Sequence, residues 1–185
     1  MRALVVFESI LGNTEVIARA IAEGLGEGGD VDSPVDVVEV GAAPTTLPAG
    51  VDLLVVGGPT HAHGMTNPDS RRSAAQKAQR PVVSTRIGIR EWLAAVGAAP
   101  AGVTAAAFDT RIKGPGLLWG SAAKAAAGRL EDQGFRMAAP PECFLIKGPT
   151  GPVHDVLVAG EVERARRWGA TLAAGLRGRV PADAR

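Results

Sequence analysis

Three short stretches hold the residue types from which a binding or catalytic site is made. The first, Glu8-Ser9-Ile10-Leu11-Gly12-Asn13-Thr14, sets two hydroxyls and a glycine directly ahead of a helical pattern. A helix amino terminus presents unpaired N–H groups and about half a positive charge, and a glycine lets the backbone close around an anion. Taken alone, the stretch is either a phosphate cradle or a plain turn capped by Asn13 or Thr14. It has no Gly-Lys-Ser/Thr and no Gly-x-Gly-x-x-Gly, so it is neither a Walker loop nor a dinucleotide fingerprint. The second stretch, Gly57-Gly58-Pro59-Thr60-His61-Ala62-His63-Gly64, brings two histidines together. A metal pair is one reading of them, but His154 and Cys143 belong to the last strand and its loop and do not complete a coordination shell. The third is Asp109-Thr110-Arg111, with Lys113 beyond it and Trp119 ten residues past Asp109. Asp109 either meets a ligand or ends a strand and ties its loop, and Trp119 either stacks on a ligand or packs in the core.

Little else points to chemistry. Cys143, the only cysteine, lies in the apolar context Pro141-Glu142-Cys143-Phe144-Leu145-Ile146 with no sequence-local cation to lower its pKa, so it reads as an inert thiol. There is no Gly-x-Ser-x-Gly elbow and no pairing of acids that suits hydrolysis. Arg71-Arg72 and Arg164, Arg166 and Arg167 read as solvated helix faces. The loop Lys147 to Gly160, which includes His154, either shapes a substrate mouth or merely connects.

The elements that must position these stretches follow from periodicity. Ala3–Phe7, Leu53–Val56, Val103–Phe108 and Cys143–Ile146 are short, nearly continuous apolar runs of the kind found in parallel strands covered on both faces. Val35–Val40, broken by Asp36 and Glu39, fits an edge strand. Between them, apolar residues recur at helical spacing over 14–25, in Ile89, Trp92, Leu93 and Val96, over Ser121–Leu130, and from Val162 to Leu176. Five strands alternating with helices predict an open α/β sheet, whose ligands bind beyond the carboxyl ends of the strands. All three stretches lie there.

Composition narrows the function further. The 185 residues, 46% of them hydrophobic, amount to a single domain over 1–185 with a core that needs no disulfide or structural metal. A formal charge of +1 without a basic cluster, and an aromatic content of 4%, argue against nucleic acid as a partner. No apolar stretch approaches the roughly 20 residues of a membrane span, and the amino terminus is too short for a signal peptide. A lone thiol fits a reducing cytoplasm.

An apolar first strand, Ser-x-x-Gly-Asn-Thr into a helix, and an apolar third strand ending in Gly-Gly-Pro-Thr together resemble the flavodoxin family, from Arg2 to about Leu176. The resemblance implies a doubly wound five-stranded parallel sheet of order 2-1-3-4-5 with FMN at the switch between strands 1 and 3. It implies that Ser9, Ile10, Leu11, Gly12, Asn13 and Thr14 hold the FMN phosphate. It further implies that Pro59, Thr60, His61, Ala62, His63 and Gly64 wall one side of the flavin, and that Asp109, Thr110 and Arg111 meet its polar edge. Leu11 stands where the family usually has a hydroxyl residue, and the aromatics that sandwich the flavin in electron carriers are replaced by His61, His63 and Trp119. The last strand lacks a long insertion, as in the short-chain form. The function expected is redox chemistry on FMN, with electrons passed to a redox partner protein or a small-molecule acceptor. The favoured form is an oxidoreductase serving a quinone-like or porphyrinogen-like acceptor, because Arg71, Arg72, Arg111 and Lys113 outnumber Asp69 and Asp109 around the site. The alternatives are a one-electron carrier and an interaction module of the same fold that has lost FMN.

Overall fold

The computed structural model describes residues 1–28, 34–61, 64–78, 81–113, 120–147 and 156–178. Ala3–Phe7 has no polar face to offer to water, and it forms β1, buried at every residue in the middle of the sheet. Residues Asn13–Gly28 form α1, Val35–Glu39 β2, Leu53–His61 β3 and Gly64–Met65 β4. Then come α2 (Pro68–Lys77), α3 (Ile89–Ala95), β5 (Thr104–Ile112), α4 (Ala122–Asp132), β6 (Arg136–Met137), β7 (Glu142–Ile146) and α5 (Glu161–Arg177).

β1 pairs in parallel with β2 on one side and β3 on the other, Ala3 standing level with both Val35 and Leu53. β3 pairs in turn with β5, from Leu53 opposite Thr104 to Pro59 opposite Thr110. The far side of β5 is shared: β6 pairs with Thr104–Ala105 and β7 with Phe108–Ile112. One strand position is thus filled by two short pieces, and the expected order 2-1-3-4-5 holds with β2 at the rim. Ala138–Pro141 interrupt the pair, and two consecutive prolines cannot donate to a ladder.

Each face of the sheet is covered. Val5, Phe7, Ile17, Ile21 and Phe108 pack on one side under α1 and α5, and Leu4, Val6, Trp92 and Leu130 on the other under α3 and α4. Phe108, Phe144 and Trp168 meet edge to face at centroid separations of 6.1–6.5 Å. α1 and α5 lie backbone against backbone. A Cβ at Gly24 would fall inside the Arg166 carbonyl, one at Gly169 inside that of Ile21, and one at Gly28 2.9 Å from the Ala170 oxygen.

One sequence expectation is corrected by this packing. Arg164, read as a solvated face, is half-buried: it binds Glu142, Glu161 and the Cys143 carbonyl and lies 4.4 Å from the centre of the Phe144 ring, which fastens α5 to β7. Arg166 binds Glu23 of α1 at 2.6 Å. α2, the helix that carries Arg71 and Arg72, shows no apolar period in the sequence. It has none to show, since Arg71 is its only buried residue, and it is set by its start: Asn67 accepts from the Ser70 N–H, Ser70 returns a bond to the Asn67 N–H, and Pro68 opens the first turn.

Gly24→Ala should destabilise the protein by at least the 1–3 kcal/mol usual for overpacking, about, because backbone cannot step aside. Gly26→Ala, two residues on in open space, should be neutral or stabilising by about 0.5–1 kcal/mol. Chemical denaturation of the two variants checks the contrast.

Candidate functional site

The carboxyl ends of β1, β3 and β5 lie side by side, and the three stretches singled out in the sequence meet there. The first runs from Ser9 to Thr14. Its backbone is fixed from one side by the segment before α3: the Ser9 N–H donates to Ser84 Oγ at 2.9 Å, Ser84 N–H to the Ser9 carbonyl at 2.8 Å, and Val83 N–H to the Ile10 carbonyl at 3.1 Å. Gly12 turns the chain at φ +90°, where a side chain would be strained, and a Cβ there would meet nothing within 4 Å. The first intrahelical bond runs from Val16 N–H to the Gly12 carbonyl, so the Thr14 and Glu15 amides precede it and make none within the helix.

The hydroxyls of this stretch are buried and not fully used. Ser9 Oγ accepts from the Gly12 N–H at 3.1 Å, which leaves its own proton without an acceptor among the described residues. Thr14 Oγ1 lies 2.8 Å from Thr110 Oγ1 on β5, both residues being 2% exposed. Two hydroxyls share one hydrogen bond, so one proton of the pair is also left over. A buried donor left unmade costs about 1–3 kcal/mol, which an anion at the loop would relieve. Ile10 is buried, and Leu11 and Asn13 are half-buried.

Pro59, Thr60 and His61 continue β3, and Asp109, Thr110 and Arg111 continue β5, so both stretches are strand where loop was expected. Thr60 pairs with Met65 and His61 with Gly64 in an antiparallel hairpin. Ala62 and His63 lie outside the described residues, as do Trp119 and His154. Asp109 is fully buried and faces α4: its Oδ2 accepts from Thr60 Oγ1 at 3.0 Å, Ser121 Oγ at 2.6 Å and the Ala123 N–H at 3.0 Å, while Thr60 Oγ1 accepts from the Ala122 N–H. Asp109 does not end its strand, which runs on to Ile112; it ties β5 to Thr60 of β3 and to the start of α4. Burial first, and then the neighbouring Asp109 carboxylate, push the Cys143 thiol up to about 12, keeping it protonated at neutral pH. The cation missing from the local sequence is supplied across the sheet by Arg111, whose opposing pull is outweighed.

What sequence reasoning missed is a polar cluster beneath the hairpin. Glu8, 1% exposed, accepts from Thr66 Oγ1 at 2.6 Å and from the Ile89 N–H at 2.9 Å. Arg71, taken as a solvated residue, is buried here: it donates to Thr66 Oγ1 at 3.0 Å and to Glu91 Oε1 at 3.1 Å, while Glu91 Oε2 accepts from the Gly88 N–H. Arg90 holds the Met65 and Thr66 carbonyls. Gly88 is required for space, since a Cβ would come within 2.6 Å of Glu8 Oε2 and 2.8 Å of Thr66 Oγ1. The signals were a carboxylate closing an apolar strand and a Glu three residues after Gly88 at a helix start. The cluster also revises the charge balance: Arg71 is matched by Glu91 and Arg72 by Asp69, leaving Arg111 and Lys113 as cations with no ion pair among the described residues. No group of potential metal ligands occurs among the described residues, and no helix there is long and apolar enough to cross a membrane.

Burial raises the Glu8 carboxyl above its ordinary value of 4.5, against the pull of Thr66, the Ile89 N–H and Arg71. Partial burial opposes ionisation of Glu91, but hydrogen bonds from Arg71 and the Gly88 N–H hold it below 4.5. The two have opposite linkage. The Glu8 contribution to stability is complete below 4.5 and is lost as pH rises through its folded value, whereas that of Glu91 is present above 4.5 and is lost on acidification. Glu8→Gln cannot ionise, so the difference in Tm between this variant and the unaltered protein should move in the variant's favour as pH is raised from about 4 to about 8.

No protein-family model matches the chain, and no curated protein matches it. Solved structures do. A flavodoxin from the domain Archaea superposes with a TM-score of 0.61 at 18% identity, covering 96% of this chain and 99% of that one. Flavodoxin 2 from Bacillus cereus gives 0.60 at 17% identity, over 94% of this chain and 98% of that one. A flavodiiron core from Synechocystis gives 0.60 at 16% identity, over 96% of this chain but 36% of that one. At such identities the likeness establishes the fold, which is flavodoxin-like.

Proposed function

We propose that the chain binds FMN across the carboxyl ends of β1, β3 and β5 and works as a redox protein that delivers electrons to an organic, quinone-like or porphyrinogen-like acceptor. The observation that carries the cofactor reading is the pair of buried hydroxyl protons without acceptors among the described residues, one at Ser9 and one in the Thr14/Thr110 pair, at the amino terminus of α1. They suit the phosphate, an acceptor of dianionic charge. Of the two nearest buried carboxylates, Glu8 is turned to Thr66 and Ile89, and Asp109 turns its Oδ2 to α4.

Bound FMN would supply reversible acceptance and release of electrons, and the protein's share is binding, orientation and electrostatics. Ser9 to Thr14 would hold the phosphate, Pro59 to Gly64 would line the ring, and the end of β5 would border its polar side. Asp109 Oδ2 is covered by three donors at the α4 terminus, while its Oδ1 is buried with no hydrogen-bond partner among the described residues. Arg111 and Lys113, at the end of β5, favour added negative charge on a neighbouring group. That balance supports two-electron delivery to an organic acceptor over one-electron carriage.

Purified protein should bind one FMN per chain, read by quenching of flavin fluorescence. Thr14→Val should weaken FMN by about 1.5–3 kcal/mol, the range for a hydrogen bond to a charged group, and leave riboflavin, which lacks the phosphate, nearly unchanged. No quenching by FMN, FAD or riboflavin would instead support an interaction module of this fold. In a stepwise reductive titration the two electrons should enter close together, and neutralising Arg111 and Lys113 should lower the second potential. Two well-separated steps with a very low second potential would favour a one-electron carrier.

A further inference from the structure

Thr110 was assigned by resemblance to the polar edge of the flavin, yet its side chain faces the other way, 2.8 Å from Thr14 Oγ1 under α1. Its neighbours on that face of the sheet are apolar, Phe108 on its own strand and Phe144 directly opposite on β7. The hydrogen bond between the hydroxyls has two possible directions, and they leave the spare proton in different places. If Thr14 donated, the proton of Thr110 would be stranded between sheet and helix, with no acceptor among the described residues. If Thr110 donates, the spare proton is that of Thr14, in the first turn of α1 beside Gly12, where a Cβ would meet open space. The second arrangement avoids a buried unmade donor whenever an anion sits at the loop.

We infer that Thr110 is a positioning residue for a phosphate monoester: it donates to Thr14 Oγ1 and so directs the Thr14 proton to the ligand's phosphate oxygen. This rests on the FMN reading for the ligand and adds to it a residue that does not touch the ligand.

The experiment compares dissociation constants for FMN and riboflavin in the unaltered protein, Thr110→Val, Thr110→Ser, Thr14→Val and the double valine variant, with Tm measured for each. Thr110→Val should weaken FMN about tenfold and riboflavin less than about twofold, and Thr110→Ser should recover most of the loss. The double variant should be little worse than Thr14→Val alone, since both changes break one relay. Tighter FMN binding by Thr110→Val would overturn the inference, because it would mean that Thr14 had been donating to Thr110. Equal losses for FMN and riboflavin, or additive losses in the double variant, would overturn it too and leave the FMN reading standing. Failure of the unaltered protein to bind either flavin would overturn both.

Discussion

The backbone contact between α1 and α5 is the constraint from which the site follows. Helices packed through ordinary side chains keep their axes 8–10 Å apart with some freedom to slide. Here Gly24 and Gly28 on one helix and Gly169 on the other bring main chain against main chain, and Arg166 reaches across to Glu23. α5 is itself tied to the sheet by Arg164 on β7 and by Trp168 against Phe108 and Phe144. The direction of α1 is therefore set at its carboxyl half, and its amino terminus is brought against β5, where Thr14 meets Thr110.

Polar side chains at the ends of the central strands are then divided between the faces of the sheet. Glu8 turns to α3 and the base of the hairpin, Asp109 to α4, and Thr110 to α1. Each ties a helix terminus to a strand end, which fixes the relative placement of the stretches at Ser9–Thr14 and Pro59–His61 without placing a carboxylate in the Ser9–Thr14 loop. The same arrangement explains how a site built largely from backbone and hydroxyls is held: its rigidity comes from the residues behind it.

Much of this was legible in the sequence because it follows local rules. The apolar runs gave four of the long strands nearly to the residue at their starts, and Asp36 and Glu39 placed β2 at the rim. Strand ends were read short because Pro59-Thr60-His61 and Asp109-Thr110-Arg111 look like loop, and pairing with each other and with β4 and β7 keeps them extended. Partnership across the chain was not legible. Arg71 looks solvated on a helix without an apolar stripe, and is buried because Glu8 and Glu91, 63 residues before it and 20 after it, converge on it and on Thr66. Thr110 looks like a loop hydroxyl beside Asp109, and strand alternation sends the two to opposite faces.

The proposed role of the Ser9–Thr14 loop is to hold the phosphate of FMN as a dianion. Phosphorus NMR of the complex reads that charge state, because free FMN phosphate titrates near a pKa of about 6. The resonance of the bound ligand should stay at its dianion position from about pH 5 to about pH 8. A bound resonance that titrates as it does in free FMN would mean that the loop does not hold the dianion.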